Sequence, residues 1–134
     1  MVGRAMAFDL SKKHDVTSAD ISPEALEKAS RNGKIKTTQQ NLKDSEKLAQ
    51  LISGYDLVVS AVPGFMGFET LKTIISCGKN FVDISFLPED ILQLSEMAKK
   101  KNVTGIADMG VAHGMPNLIA GYHYEKKKIT EFEY

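Results

Sequence analysis

An apolar run in the middle of the chain restricts the fold more than any other feature of the sequence. Residues 55–63, Tyr-Asp-Leu-Val-Val-Ser-Ala-Val-Pro, are largely apolar and rich in β-branched side chains, and the run stops at Pro63 and Gly64. Such a run is typical of a strand buried on both faces, as strands of a parallel sheet are. We therefore expect a parallel sheet that is covered by helices.

The rest of the chain alternates helical and strand patterns around this run. Ser22 and Pro23 supply an N-cap and a first helical residue, and Asp44 or Ser45 caps a later helix. Helices are predicted over residues 2–13, 23–33, 44–52, 64–78, 88–101 and 116–128. Strands are predicted over residues 15–21, 34–42, 55–63, 80–86 and 103–109, with the start of another at 129–134. Regular alternation with short loops indicates an α/β fold with a doubly wound parallel sheet.

Composition excludes several classes of protein. The 134 residues include 17 Lys or Arg and 17 Asp or Glu, so the net charge is zero and a nucleic-acid partner is not expected. The one cysteine, Cys77, cannot form an internal disulfide, which favours a reducing compartment such as the cytoplasm. No apolar run approaches the roughly 18 residues of a membrane span, so no membrane partner is expected either.

Ligands of open parallel sheets bind at the carboxyl ends of the strands, so the loops there hold the candidate site. Asp20 ends the first predicted strand, 17 positions after Gly3. A dinucleotide-binding fold has an acid about 20 residues beyond its glycine-rich turn, where the carboxylate accepts ribose hydroxyl protons. Asp20 is equally well interpreted as a turn residue or a competing helix cap before Pro23. As a ligand, it would repel a 2′-phosphate and favour NAD over NADP.

Each of the other candidate residues has a functional interpretation and a structural one. Gly3 is the candidate third glycine of such a turn, which permits close packing of helix on strand. Gly64 and Gly67 either let the backbone approach a phosphate at a helix N-terminus or are ordinary turn glycines. Asp83 lies near the end of a predicted strand, and His113 follows one. Both are candidates for acid or base chemistry; the structural alternative is helix capping for Asp83 and a surface loop for His113. No metal site is expected, because His113 has no partner His or Cys near it in sequence.

Five motifs, in order and in register, resemble the saccharopine dehydrogenase family, and within it the L-lysine dehydrogenase-like branch. They are residues 2–5 (VGRA), 16–20 (VTSAD), 56–64 (DLVVSAVPG), 81–86 (FVDISF) and 108–117 (DMGVAHGMPN). The resemblance runs from residue 1 to about residue 124. It implies a Rossmann domain that binds NAD or NADP. It also implies an enzyme that oxidises a C–N bond of an amino acid, or reduces an imine, by hydride transfer.

The resemblance also assigns site residues. It places Val2, Gly3, Asp20, Ile21, Asn41, Leu42, Ser60, Ala61, Val62 and Pro63 at the cofactor, and Ser85 and Gly110 at the nicotinamide and substrate. The substrate it implies is a small molecule, an amino acid. Homodimer contacts would belong to the second domain of the full-length enzyme.

Two departures from the family pattern lead to an expectation about the extent of the chain. Residues 1–3, Met-Val-Gly, match only the end of a phosphate loop of the form Gly-x-Gly-Met-Val-Gly, so the first strand of the Rossmann sheet is expected to be missing. Residues 1–128 would then be an incomplete cofactor domain, and residues 129–134 the start of an absent substrate domain. Alternatives are a nucleotide-binding or interaction module without turnover, and a fragment that is inactive on its own.

Overall fold

The computed structural model describes residues 2–31, 33–111, 114–128 and 130–131, in which helices and strands alternate as predicted. The strands are β1 (Val16–Asp20), β2 (Ile35–Gln39), β3 (Leu57–Ser60), β4 (Asn80–Asp83) and β5 (Gly105–Ile106). The helices are α1 (Val2–Leu10), α2 (Pro23–Ser30), α3 (Ser45–Ile52), α4 (Gly64–Ser76), α5 (Ser95–Lys101) and α6 (Met115–Tyr124). A 3₁₀ turn, Ile91–Leu94, precedes α5.

Local side-chain chemistry sets the start of two helices. The Ser22 hydroxyl accepts a hydrogen bond from the Ala25 amide at 3.2 Å, and Pro23 follows as the first helical residue of α2. The Asp44 carboxylate accepts a hydrogen bond from the Lys47 amide at 3.1 Å and so caps α3. Because that amide bond favours the ionised form, the pKa of Asp44 lies below its ordinary value. Both caps agree with the sequence prediction.

Several elements are shorter than predicted. The helix expected from residue 88 begins instead with the 3₁₀ turn, because the Asp90 carboxylate accepts the Leu92 amide at 2.9 Å and starts the helical segment there. The strand expected over residues 103–109 pairs only at Gly105–Ile106. The strand predicted at 129–134 lies mostly outside the described residues, and Thr130 and Glu131 belong to no strand.

The strands form two parallel sheets. In one, β1 pairs with β2, and in the other the order is β3-β4-β5. Within the described residues, no hydrogen-bonded strand joins β1 to β3. A complete doubly wound sheet with strand order 3-2-1-4-5-6 gives this arrangement when its first strand, which lies at the centre, is left out. The observed topology agrees with the predicted sheet that lacks its first strand.

Each sheet has its own apolar core. We call residues 2–40 the N-terminal unit and residues 41–128 the C-terminal unit. The N-terminal unit buries a small set of side chains, namely Ala7, Leu26, Ala29 and Ile35. The C-terminal unit buries a larger contiguous cluster, namely Leu48, Ile52, Leu71, Ile74, Ile75, Phe81 and Leu94. The element pairs with the most extensive packing lie within one unit or the other.

The structure corrects one expectation about β3. The sequence predicts a strand buried on both faces, yet Leu57 is 52% exposed and Val58 and Val59 are only half-buried. The physical reason is that β3 lies at the open edge of its sheet, with β4 as its one strand neighbour among the described residues. The sequence of β3 is therefore typical of a fully buried strand, whereas the strand itself is partly exposed to solvent.

Candidate functional site

The carboxyl ends of the strands carry the predicted site residues. Because each sheet is parallel, the loops that follow β1 and β2 emerge at one edge of the first sheet, and those that follow β3, β4 and β5 at one edge of the second. The edge of the second sheet meets the start of α1. There, a Cβ placed on Gly3 would lie 3.3 Å from the Cβ of Ala61, in the loop after β3.

Gly3 therefore allows close packing, as predicted, but against a loop of the other unit rather than a strand. The first turn of α1 contains no acidic residue, so no carboxylate opposes an anion at this helix N-terminus. Val2, the residue before Gly3, is exposed at the same helix start. This end of α1 is consequently accessible beside Ala61.

Asp20 is half-buried at the end of β1, and one of its oxygens has a structural role. Its Oδ1 accepts the Ser22 amide at 2.8 Å, and its backbone carbonyl accepts the Gln40 amide at 3.0 Å. The turn interpretation of Asp20 is thus correct for one oxygen. Within the described part of the chain, Oδ2 forms no hydrogen bond. A carboxylate held by one oxygen with the other available is well oriented to accept further hydrogen bonds.

The neighbouring candidates in the first sheet have different surroundings. Ile21 is 63% exposed beside Asp20, and its carbonyl accepts the Gln39 side-chain amide at 3.1 Å. Asn41 is exposed, and its side-chain oxygen accepts the Lys43 amide at 3.1 Å. Leu42 packs against the core of the C-terminal unit, so its side chain serves packing.

The loop after β3 combines a buried hydroxyl with accessible backbone. Ser60 is 4% exposed, and its Oγ has no hydrogen-bond partner among the described residues. Buried hydroxyl groups ordinarily have a hydrogen-bond partner, so a Ser60 hydroxyl without one among the described residues is unusual. Ala61 and Pro63 are exposed and Val62 is half-buried, which leaves this loop accessible at the sheet edge.

The two glycines that follow this loop have protein atoms where a side chain would lie, so the absence of a side chain there makes no room for a phosphate. A Cβ on Gly64 would lie 2.9 Å from the carbonyl carbon of Phe86 and still closer to its oxygen. A Cβ on Gly67 would overlap the Leu87 side chain and lie 3.1 Å from the Cβ of Ser85. Protein atoms already fill the space in both places. Gly64 and Gly67 therefore permit close approach of the segment after β4.

Asp83 and Ser85 form one hydrogen-bonded group. Asp83 is completely buried and Ser85 is 3% exposed. The Ser85 amide donates to Asp83 Oδ2 at 3.0 Å, and the Ser85 hydroxyl lies 2.7 Å from Asp83 Oδ1 and 3.0 Å from the Val62 carbonyl oxygen. Sequence reasoning missed this group, although an Asp two residues before a Ser is a common signal for a side-chain-to-backbone turn.

The remaining candidates lie after β5. The Gly110 carbonyl accepts the amides of Gly114 and Met115 at 3.0 and 3.1 Å, so Gly110 closes the turn into α6. Asp108 is exposed and has a positive φ of 59°, which is uncommon for a residue other than glycine. His113 lies outside the described residues. Among the described residues, no group of three or more His, Cys, Asp or Glu side chains is arranged to hold a metal ion.

These features define the class of the protein: an α/β domain of the dinucleotide-binding type, with an acid at the end of β1 and an accessible loop after β3. A family model described as the saccharopine dehydrogenase NADP binding domain matches residues 1–106. The chain belongs to this family, as the sequence motifs predict.

Known relatives agree with the assignment. The chain is 27% identical over 103 residues to alpha-aminoadipic semialdehyde synthase of Arabidopsis thaliana, covering 73% of this chain and 10% of the relative. It is 26% identical over 86 residues to the mitochondrial alpha-aminoadipic semialdehyde synthase of Bos taurus, covering 64% of this chain and 9% of that relative. The chain thus spans about a tenth of the length of these relatives.

A solved structure shows the same fold. The apo, histidine-tagged saccharopine dehydrogenase (L-Glu forming) from Saccharomyces cerevisiae superimposes with a TM-score of 0.84 at 19% sequence identity. The match covers 93% of this chain and 28% of that one. The predicted α/β fold is confirmed by this likeness. No helix among the described residues is long and apolar enough to cross a membrane.

Proposed function

We propose that this chain is the NAD(P)-binding part of an oxidoreductase that acts on the C–N bond of an amino acid, and that it prefers NAD. The observation that carries the proposal is the half-buried Asp20 carboxylate at the end of β1, with one oxygen fixed and the other available. The residues proposed to face the dinucleotide are Val2, Gly3, Asp20, Ile21, Asn41, Ser60, Ala61, Val62 and Pro63.

The charges around Asp20 support the preference for NAD. The first turn of α2, directly after Asp20, contains the acid Glu24. The basic side chains of that segment are engaged in ion pairs, Lys28 with Glu24 and Arg31 with Glu27 at 3.2 Å. A 2′-phosphate would therefore meet negative charge without a free cation of α2 to balance it, whereas two ribose hydroxyls would find an acceptor. The family description names NADP, so the preference needs its own test.

The fit of a pyrophosphate rests on the start of α1 and the loop after β3. Gly3 and Ala61 bring the two units together there, and the first turn of α1 has no acid. Backbone amides at a helix N-terminus attract phosphate oxygens. When bound, the nicotinamide group would supply the hydride acceptor. The residues of this chain would orient it and keep the loop after β3 in place.

We propose that Ser85 and Gly110 lie at the nicotinamide and substrate end of the site. We propose no acid or base role for Asp83. The Asp83 carboxyl is completely buried and both its oxygens lie within hydrogen-bonding distance of Ser85. A group that exchanges protons with a substrate must come within hydrogen-bonding reach of it. The amino-acid substrate itself is proposed from the family resemblance.

Titration of the 134-residue chain with NADH and NADPH, followed by nicotinamide fluorescence, tests the proposal. We expect NADH to bind more tightly than NADPH. Asp20→Ala should weaken NADH about 10-fold or more, the loss expected for hydrogen bonds to a charged group. The matched control is Asp15→Ala, which removes an exposed carboxylate just before β1 and should leave both affinities unchanged.

Each part of the proposal has its own contrary result. Tighter binding of NADPH than of NADH refutes the preference, and binding of neither refutes the dinucleotide site. Binding without lysine- or saccharopine-dependent reduction of NAD(P)⁺ contradicts turnover by this chain and leaves it a nucleotide-binding module. If Asp15→Ala and Asp20→Ala weaken NADH binding equally, the loss of affinity comes from the change in net charge and not from a contact of Asp20.

A further inference from the structure

The hydrogen-bonded ladder between β3 and β4 ends before the loop that the cofactor is proposed to contact. The last register pair is Ser60 with Asp83, and the Ile84 amide donates to the Ser60 carbonyl at 3.1 Å. Beyond Ser60 the backbone leaves the sheet, and Pro63 has no amide proton to donate. The segment 61–63 therefore needs another attachment if it is to keep one conformation.

The Ser85 side chain supplies that attachment. Its hydroxyl lies 3.0 Å from the Val62 carbonyl oxygen, two residues past the last ladder pair. It also lies 2.7 Å from Asp83 Oδ1. Because a hydroxyl has one proton, it donates to one of these oxygens at a time and stays within reach of both. The hydroxyl thus links the end of β4 to the loop after β3.

Asp83 fixes Ser85 in this position. The Ser85 amide donates to Asp83 Oδ2 at 3.0 Å, and this bond holds Ser85 whichever oxygen its hydroxyl donates to. The Asp83 carbonyl in turn accepts the Met109 amide at 3.0 Å, which joins the loop after β5 to the same point. Among the described residues, Asp83 takes part in no salt bridge, so hydrogen bonds are what satisfy this buried group.

The packing around Ser85 leaves it little freedom. Ser85 is 3% exposed. A Cβ on Gly67, in the first turns of α4, would lie 3.1 Å from the Ser85 Cβ and 3.5 Å from its Oγ. The hydroxyl is therefore enclosed between the helix that follows the loop and the strand that precedes Ser85. Groups that are locked by packing and by a second layer of hydrogen bonds are suited to hold a binding loop.

We propose that Asp83 and Ser85 together are positioning residues for the segment 61–63, acting through the Val62 carbonyl. They would hold this segment in the conformation that receives the dinucleotide before the dinucleotide arrives, which removes an ordering cost from binding. This inference rests on the proposed function, because it assigns the pair to the same site. It gives Asp83 a role through Ser85 and Val62 and none in proton transfer.

Nitrogen-15 relaxation of the ligand-free chain tests whether the pair holds the loop. In Ser85→Ala the amide order parameters of Ala61 and Val62 should fall from about 0.85, typical of rigid backbone, toward 0.6. Asp83→Asn, which keeps hydrogen-bonding groups on that side chain, should give a smaller fall. The control is Ser76→Ala, which removes a hydroxyl that donates to the Thr73 carbonyl at 2.7 Å, far along α4, and should leave the loop unchanged.

Affinity measurements on the same variants test whether the loop matters for the cofactor. Ser85→Ala should weaken NADH about 5-fold, of the order expected for ordering a short segment. AMP, which lacks the nicotinamide half, should bind Ser85→Ala as it binds the unmodified chain, while Asp20→Ala weakens both. Amide hydrogen exchange of the buried core residues should stay unchanged, which separates loop positioning from general destabilisation.

The outcomes are decisive in each direction. Unchanged order parameters in both Ser85→Ala and Asp83→Asn overturn the holding role. A mobile loop with unchanged NADH affinity overturns the functional role, as does an equal loss of AMP and NADH affinity in Ser85→Ala. If the unmodified chain binds no dinucleotide, the proposed function fails, and the relaxation data alone then decide whether the pair holds the loop. If Ser85→Ala does not fold, Asp83→Asn is compared with the unmodified chain in both measurements.

Discussion

Replacement of Gly64 by alanine should destabilise the chain strongly, even though alanine is the better helix former. The added Cβ would lie 2.9 Å from the carbonyl carbon of Phe86 and closer to its oxygen, both of them backbone atoms. A flexible side chain could rotate away, but here the segment after β4 must move. Overpacking costs about 1–3 kcal/mol, and we expect the upper end, about 3 kcal/mol. For a chain of this size, that lowers Tm by about 10 °C.

Thermal and urea unfolding followed by circular dichroism measure this loss. The matched control is Gly54→Ala: a Cβ at Gly54 has no neighbour within 4 Å, and Gly54 does not have a positive φ. That variant should be neutral or more stable by about 0.4–1 kcal/mol. If the free energy of unfolding of Gly64→Ala lies within about 1 kcal/mol of that of the unmodified chain, the Phe86 backbone moves at little cost and the prediction is refuted.

A second comparison separates backbone from side-chain overlap. A Cβ on Gly67 meets the Leu87 side chain first and then the Ser85 Cβ at 3.1 Å. Gly67→Ala should therefore be partly rescued by Leu87→Ala. Gly64→Ala should not be rescued by Phe86→Ala, because the atoms in its way belong to the main chain. Rescue in both double variants would contradict the distinction.

Three further outcomes follow from the packing and the caps. Leu71→Ala should cost about 2–5 kcal/mol in urea unfolding because Leu71 is fully buried, whereas Leu92→Ala, at 71% exposed, should cost less than about 0.5 kcal/mol. Ser22→Ala should lower stability by about 1 kcal/mol, since it removes the cap of α2; an unchanged urea midpoint would contradict that role. The lowered pKa of Asp44 contributes stability that is present above the unfolded-state pKa and is lost as pH falls through the folded-state pKa. Below about pH 4 the urea midpoint should therefore fall more in the unmodified chain than in Asp44→Asn, and parallel pH curves would exclude this contribution.

Local chemistry made some parts of the fold predictable. Ser22 with Pro23 and Asp44 mark helix starts because a cap needs only residues within one turn of it. Pro63 set an outer limit for β3, since a proline cannot continue a strand ladder, but β3 ends earlier than predicted, at Ser60. The 3₁₀ turn before α5 was not predictable, because both Pro88 and Asp90 can begin a helical segment and their sequence does not rank them.

The position of Asp20 at a strand end was predictable from the sequence, whereas the contacts of the other candidate residues were less so. The distance of Asp20 from Gly3 and its place at a strand end are visible in sequence, although its bond to the Ser22 amide is a matter of geometry. The joint role of Asp83 and Ser85 depends on Val62, which lies 23 positions before Ser85 and is brought to it by the pairing of β3 with β4. No local pattern carries that information.

The division into two sheets with separate cores has a consequence for how the chain responds to a ligand. Asp20 belongs to the N-terminal unit, and Val62 belongs to the C-terminal unit. A molecule that contacts both would connect two units that otherwise share little buried surface. Its binding free energy would then favour the state in which both units are folded, and their unfolding would be coupled. Without it, the smaller N-terminal core should open first, and its amides should exchange with solvent sooner. Saturation with such a ligand should reduce the difference in amide exchange between the two units.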